Sequence, residues 1–169
     1  MKNSLKTLAL ALGVGLLAAA VAAQDCTPAT QTVTLIAGQN FYAGTVTVTS
    51  DGSHVCVTYQ TIGGWQITET HLAIASSLAG IPQTKTGNPQ PGKFPYSASH
   101  TPAVTTFTYC VPYVVSGNQA VYIATHAVVQ QVNDTGGVVQ RQTAWSGPNG
   151  FPGKNWATYF VYIPCREVD

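Results

Sequence analysis

The chain has 169 residues, of which seven are Lys or Arg and six are Asp or Glu, so that 8% are charged against about 25% in an average soluble protein. This leaves no basic footprint for nucleic acid, no polybasic patch for anionic lipid and no charged tail. Hydroxyl groups take the place of charge, with 22 Thr and 9 Ser.

Residues 1–23 read as a cleavable secretory signal. Lys2 and Lys6 precede an uncharged apolar run, Leu8–Ala23, which ends in the small residues Val21-Ala22-Ala23. The run is shorter than the ~20 residues needed to span a bilayer. The expected mature chain, residues 24–169, is a single secreted domain of net charge −1 with no membrane insertion once the signal is removed. Cys26, Cys56, Cys110 and Cys165 remain, an even count that suggests two disulfides in an oxidising compartment. Of three connectivities, Cys26–Cys165 and Cys56–Cys110 are preferred: the first ties the termini together and the second joins two strand-like segments. No C-x-x-C pair supports zinc.

Apolar periodicity along the mature chain is 2. Alternation predicts strands over 31–37, 44–50, 54–60, 65–75, 104–111, 119–129, 138–145 and 156–163, rich in β-branched and aromatic residues and separated by Gly, Pro, Asn or Ser. About eight short strands and no helical stripe read as an all-β, antiparallel β-sandwich, with a closed barrel as the alternative. On 54–60, Val55, Val57 and Tyr59 share one face. On 104–111, Phe107, Tyr109 and Val111 do. A Cys56–Cys110 bond therefore lies outside the core, on the Thr-bearing faces.

Two segments break the rhythm. Ser76–Ala103 is long, carries five prolines and reads as a loop. Ser146–Asn155 is a shorter Gly/Pro-rich loop. A strict antiparallel count sends the two to opposite ends of the sandwich. Their Lys85, Lys93, Phe94, Tyr96 and Phe151 are the expected exposed ligand contacts. Trp65, Trp145 and Trp156 suggest a sugar-stacking platform, although at least two of the three are expected in the core. Asn133-Asp134-Thr135 is a glycosylation sequon, usable in a eukaryotic secretory host.

One polar cluster stands out. Strict alternation puts Trp65, Ile67, Glu69 and His71 on one face of their strand and Thr68, Thr70, Leu72 and Ile74 on the other. With His126 on a neighbouring strand, Glu69 and His71 would make a two-His, one-carboxylate ligand set or an acid/base pair. The favoured reading is structural, with Glu69 paired to Arg141. No nucleophile elbow, H-E-x-x-H, P-loop or dinucleotide fingerprint is present, and Glu69 is the one acid placed within a predicted strand.

The strings Trp65-Gln-Ile-Thr-Glu-Thr-His-Leu, Gly87-Asn-Pro-Gln-Pro-Gly-Lys-Phe-Pro-Tyr96, Tyr122-Ile-Ala-Thr-His-Ala-Val-Val129 and Trp156-Ala-Thr-Tyr-Phe160 resemble a group of uncharacterised secreted all-β proteins and surface-protein modules. The resemblance covers residues 31–163 and implies the fold and export, with no activity, cofactor or site to carry over. The expected function is an extracellular or cell-surface binding module without a cofactor, meeting a glycan or a surface protein. The alternatives are an enzyme or metal-binding protein using Glu69, His71 and His126, and a structural coat subunit.

Overall fold

A computed structural model describes residues 26–51, 53–113 and 119–167, with side chains from Ala29 to Pro164 within these ranges. The expected signal segment lies outside the described residues. So do the side chains of Cys26 and Cys165.

The strands are β1 (Cys26–Pro28), β2 (Gln31–Ala37), β3 (Phe41–Ser50), β4 (His54–Thr61), β5 (Trp65–Ala75), β6 (Tyr96–Val104), β7 (Thr106–Pro112), β8 (Val121–Val132), β9 (Val138–Ser146), β10 (Asn149–Gly150), β11 (Thr158–Tyr162) and β12 (Cys165–Glu167). All pairings between them are antiparallel. Two single 3-10 turns, Leu78–Gly80 and Pro91–Lys93, are the only helical segments among the described residues. Among the described residues no helix is long and apolar enough to cross a membrane.

Ten strands form one sheet, and β1 pairs with β12 apart from it. The main path runs β6-β5-β8-β9-β2-β3-β4-β7, while β11 takes the edge of β8 beyond β9 and β10 follows it. The sheet curls until it is nearly closed. Its two end strands, β6 and β7, meet through side chains. The Thr70 hydroxyl lies 3.1 Å from His100 Nε2 and 2.8 Å from the Tyr109 hydroxyl, which in turn donates to the Thr70 carbonyl. The His100 and Phe107 rings pack at a tilt with centroids 4.5 Å apart. The expected loop at 76–103 thus contains a strand that alternation did not reveal, because β6 is interrupted by Pro102 and half-exposed along its length.

The inner face holds the core. Leu35, Val46, Val48, Val55, Val57, Tyr59, Ile67, Leu72, Ile123, Val129, Phe160 and Tyr162 are wholly buried there. Each fully buried side chain of this size contributes roughly 1.5–3 kcal/mol. Val55, Val57 and Tyr59 share the inner face as alternation requires. Cys56 and Cys110 stand directly opposite each other on the outer face and form a disulfide. Beside it Thr58 and Thr108 share a 2.8 Å hydroxyl bond.

Strand β5 departs from strict alternation. Ile67 pairs with Val129 and Glu69 with Val128, leaving Thr68 without a partner residue. This is a β-bulge, one extra residue on one strand of an antiparallel pair. Beyond it the faces exchange. Trp65, Ile67, Thr70 and Leu72 are buried on the inner side, and Glu69, His71 and Ala73 turn outward. The expectation that Glu69 and His71 share a face with Trp65 and Ile67 is corrected by this single residue.

Deleting Thr68 is expected to leave a cooperatively folded protein, because Ile67, Glu69 and Thr70 then alternate in, out, in without a bulge. Deleting Thr70 would carry His71 onto the core face and abolish folding. Near-UV circular dichroism and thermal melting of the two deletions check this. Replacing Cys56 and Cys110 by Ser, which opens a link across 54 positions, should cost about 2–4 kcal/mol, read as a lower urea midpoint at unchanged slope.

Candidate functional site

The outer face of β5, β8 and β9 carries the chemistry. One cross-strand row runs Ser97–His71–His126–Trp145–Ile36–Tyr42 from β6 to β3, each pair directly opposite. Every second residue of each strand reaches this face. The bulge decides that His71 is among them.

Part of the face is roofed by the two irregular segments. Ile81 and Phe94 from the longer one, Phe151 from the shorter and Ala157 just after it pack with Ala73, Ala124 and Trp145 into a second hydrophobic cluster. Phe94 and Phe151 each stand edge-on to Trp145 at 6.3 Å. The segments are also clasped to each other. Gly153 N–H donates to the Gly87 carbonyl (3.1 Å) and Asn155 N–H to Asn88 Oδ1 (3.1 Å). A Cβ on Gly153 would lie 2.0 Å from Asn88 Oδ1, so only glycine allows this approach.

These contacts correct two expectations. The segments meet on one face, because the longer one folds back over the sheet after β5 to bury its apolar residues. Phe94 and Phe151, expected as exposed contacts, are 6% and 5% exposed. Tyr96 is half-buried, packs on the main core and lies 6.2 Å from Tyr109. Lys85 and Lys93 are exposed on the roof.

The roof leaves a cavity of about 290 Å3 beside Trp145, lined by Ile36, Gln39, Trp145, Gly147, Trp156 and Thr158. Trp65 and Trp145 are buried and Trp156 is half-buried, so one indole remains for contact. Gln39 has φ +72°, the one non-glycine residue in the left-handed region among the described residues. It follows Gly38, φ +53°, in the tight β2–β3 turn closed by Asn40 N–H to the Ala37 carbonyl. Both central residues of such a turn need positive φ, and the second is usually glycine. A long polar side chain held there at a conformational cost points to a use for it. Alternation located the strands on either side but gave no sign of Gln39. A glycine-led turn between two strands was the available hint.

A larger cavity of about 360 Å3 lies by Ala29, Thr30, Gln31, Val161, Tyr162 and Ile163. Its Tyr162 hydroxyl is already committed to the Ala29 carbonyl, and no indole lines it.

On the other side of Trp145 stands the histidine pair. The His126 ring is 4.8 Å from Trp145 and 5.2 Å from His71, centroid to centroid. Burial, and then the neighbouring His71, hold the His126 imidazole down at about 4, so it is neutral at pH 7. Glu69 Oε2 lies 3.4 Å from His71 Nε2. The expected Glu69–Arg141 pair does not form. Arg141 Nη2 donates to Gln130 Oε1 at 3.3 Å instead, because the register places it opposite Gln130 and away from Glu69. Among the described residues no group of three or more His, Cys, Asp or Glu is placed to hold a metal ion.

The sequon lies at the tip of the β8–β9 turn. There Asn133 is exposed and its Oδ1 accepts from Thr135 N–H, Thr135 Oγ1 and Gly137 N–H.

Asn88→Ala removes the side-chain half of the clasp. Hydrogen exchange should then speed up at the Asn155 and Gly153 amides while the Val57 amide of β4 stays unchanged. Equal acceleration at all three would mean that the clasp supports the whole fold.

The chain matches no protein-family model, no curated protein and no solved structure, so what the site does is read from its own geometry.

Proposed function

We propose that this protein is a secreted binding module whose ligand is an extracellular glycan, held in the cavity between Trp145 and Trp156. The observation that carries the reading is the lining of that cavity. An indole face stacks on the apolar C–H surface of a sugar ring, and nearby polar groups fix its hydroxyls. Trp156 supplies a half-buried face, and Gln39 and Thr158 supply an amide and a hydroxyl. A volume near 290 Å3 sits at the low end of ligand-sized cavities and suits a single ring or chain end.

Export through the signal at 1–23 completes this reading, with a second disulfide, Cys26–Cys165, beside Cys56–Cys110. The antiparallel pairing of β1 with β12 brings the two terminal segments side by side, with Cys26 opposite Glu167 and Cys165 opposite Pro28. Lys85 and Lys93, exposed on the roof, are candidates for contacts outside the cavity. Low charge fits a neutral ligand, since the cavity presents no ionic partner.

Retention on immobilised polysaccharides and cell-wall material tests the proposal. Trp156→Ala should weaken retention at least tenfold. Gln39→Gly should weaken it as well while leaving stability unchanged or raised, because glycine is unstrained at that φ. Absence of retention on every matrix, with the Cys56–Cys110 bond intact, would sink the glycan reading.

A further inference from the structure

Among the described residues, the buried side-chain polar atoms left unpaired are Nδ1 of His71 and Nδ1 of His126. Buried polar groups are paired in the large majority of cases, and an unpaired one calls for an ion or a water. Here two occur together, on residues directly opposite each other across β5 and β8, with ring centroids 5.2 Å apart. An ion bound at ordinary metal–imidazole length lies about 3 Å from each ring centre. A pair at this separation can therefore bracket one ion.

The surroundings set the lone pairs. His71 Nε2 faces Glu69 Oε2 at 3.4 Å. A carboxylate accepts, so Nε2 carries the proton and the free lone pair belongs to Nδ1. Metal-ligating histidines commonly hold their other nitrogen this way, against a carboxylate that fixes the tautomer. His126 is 8% exposed, packs against Trp145 on its far side, and presents a neutral ring. Among the described residues no Lys or Arg pairs with Glu69.

We propose that His71 and His126 bind one divalent first-row transition ion of the imidazole-preferring class, copper(II) or zinc(II), through their unpaired ring nitrogens. Glu69 orients His71 from outside the coordination sphere, and water completes the shell. This differs from the two-His, one-carboxylate set considered from sequence, because Glu69 sits on the opposite nitrogen of His71. With two protein ligands the site is open, and micromolar rather than nanomolar affinity is expected. Calcium and magnesium are the wrong class, since they need converging oxygen ligands.

Calorimetric titration of the full disulfide-bonded protein with zinc chloride at pH 7.5, beside 15N spectra of its imidazoles, tests the assignment. One equivalent should bind. The ring signals of His71 and His126 should move while those of His54 and His100 stay. His71→Gln should weaken binding at least tenfold and Glu69→Gln only a few-fold, and calcium should give no heat. Copper(II) in place of zinc should show spin coupling to two nitrogens. The proposal is overturned by no uptake at a hundred micromolar zinc, by uptake that His71→Gln leaves intact, or by shifts confined to His54 and His100. The wild-type spectra decide the matter even where a variant fails to fold. The glycan reading rests on other residues and stands or falls separately.

Discussion

The bulge at Thr68 is the constraint on which the outer face depends. Strand β5 carries two apolar phases, Trp65 and Ile67 on one parity and Leu72 and Ile74 on the other. A continuous strand could bury only one of them. One extra residue lets both face the core and turns Glu69 and His71 outward. Without it a carboxylate would sit among wholly buried side chains, at the large cost of an uncompensated buried charge. Among the described residues no Lys or Arg is buried in the core to pair with it there.

That turn of phase places His71 in a row with His126 and Trp145, and the row divides the outer face into two halves. On one side of Trp145 lies a cavity with an indole, an amide and a hydroxyl. On the other lies a pair of imidazoles with a carboxylate behind one of them. Trp145 belongs to both, since it touches His126 and also lines the cavity.

The Pro-rich segment after β5 is ordered by the same economy. A long loop would leave Ile81 and Phe94 in water. Folded back, it buries both against Ala73, Ala124 and Trp145 and meets the shorter segment at Gly87–Gly153. The sheet's open seam is treated similarly. Exposed strand edges invite pairing with other chains. Here the edges of β6 and β7 are drawn together by the Thr70–His100–Tyr109 network, and β7 is tied to β4 by the disulfide.

The sequence by itself determined the elements whose cause is local. Alternation of β-branched residues located β2, β4, β5, β7, β8, β9 and the heart of β3 and β11, and its parity placed Cys56 and Cys110 on the outer face. It also marked Glu69, His71 and His126 as the polar residues worth watching. Only the tertiary structure decided how they are used. Strict alternation treats β5 as continuous and so misses the exchange of faces; the change of apolar parity between Ile67 and Leu72 marks it, but its place at Thr68 is fixed only by the pairing with β8. Burial of Phe94 and Phe151 depends on where a loop lands, and the partner of Arg141 depends on the register of β9 against β8. Parity is written along one chain, whereas register, docking and the company a side chain keeps are set between segments distant in sequence.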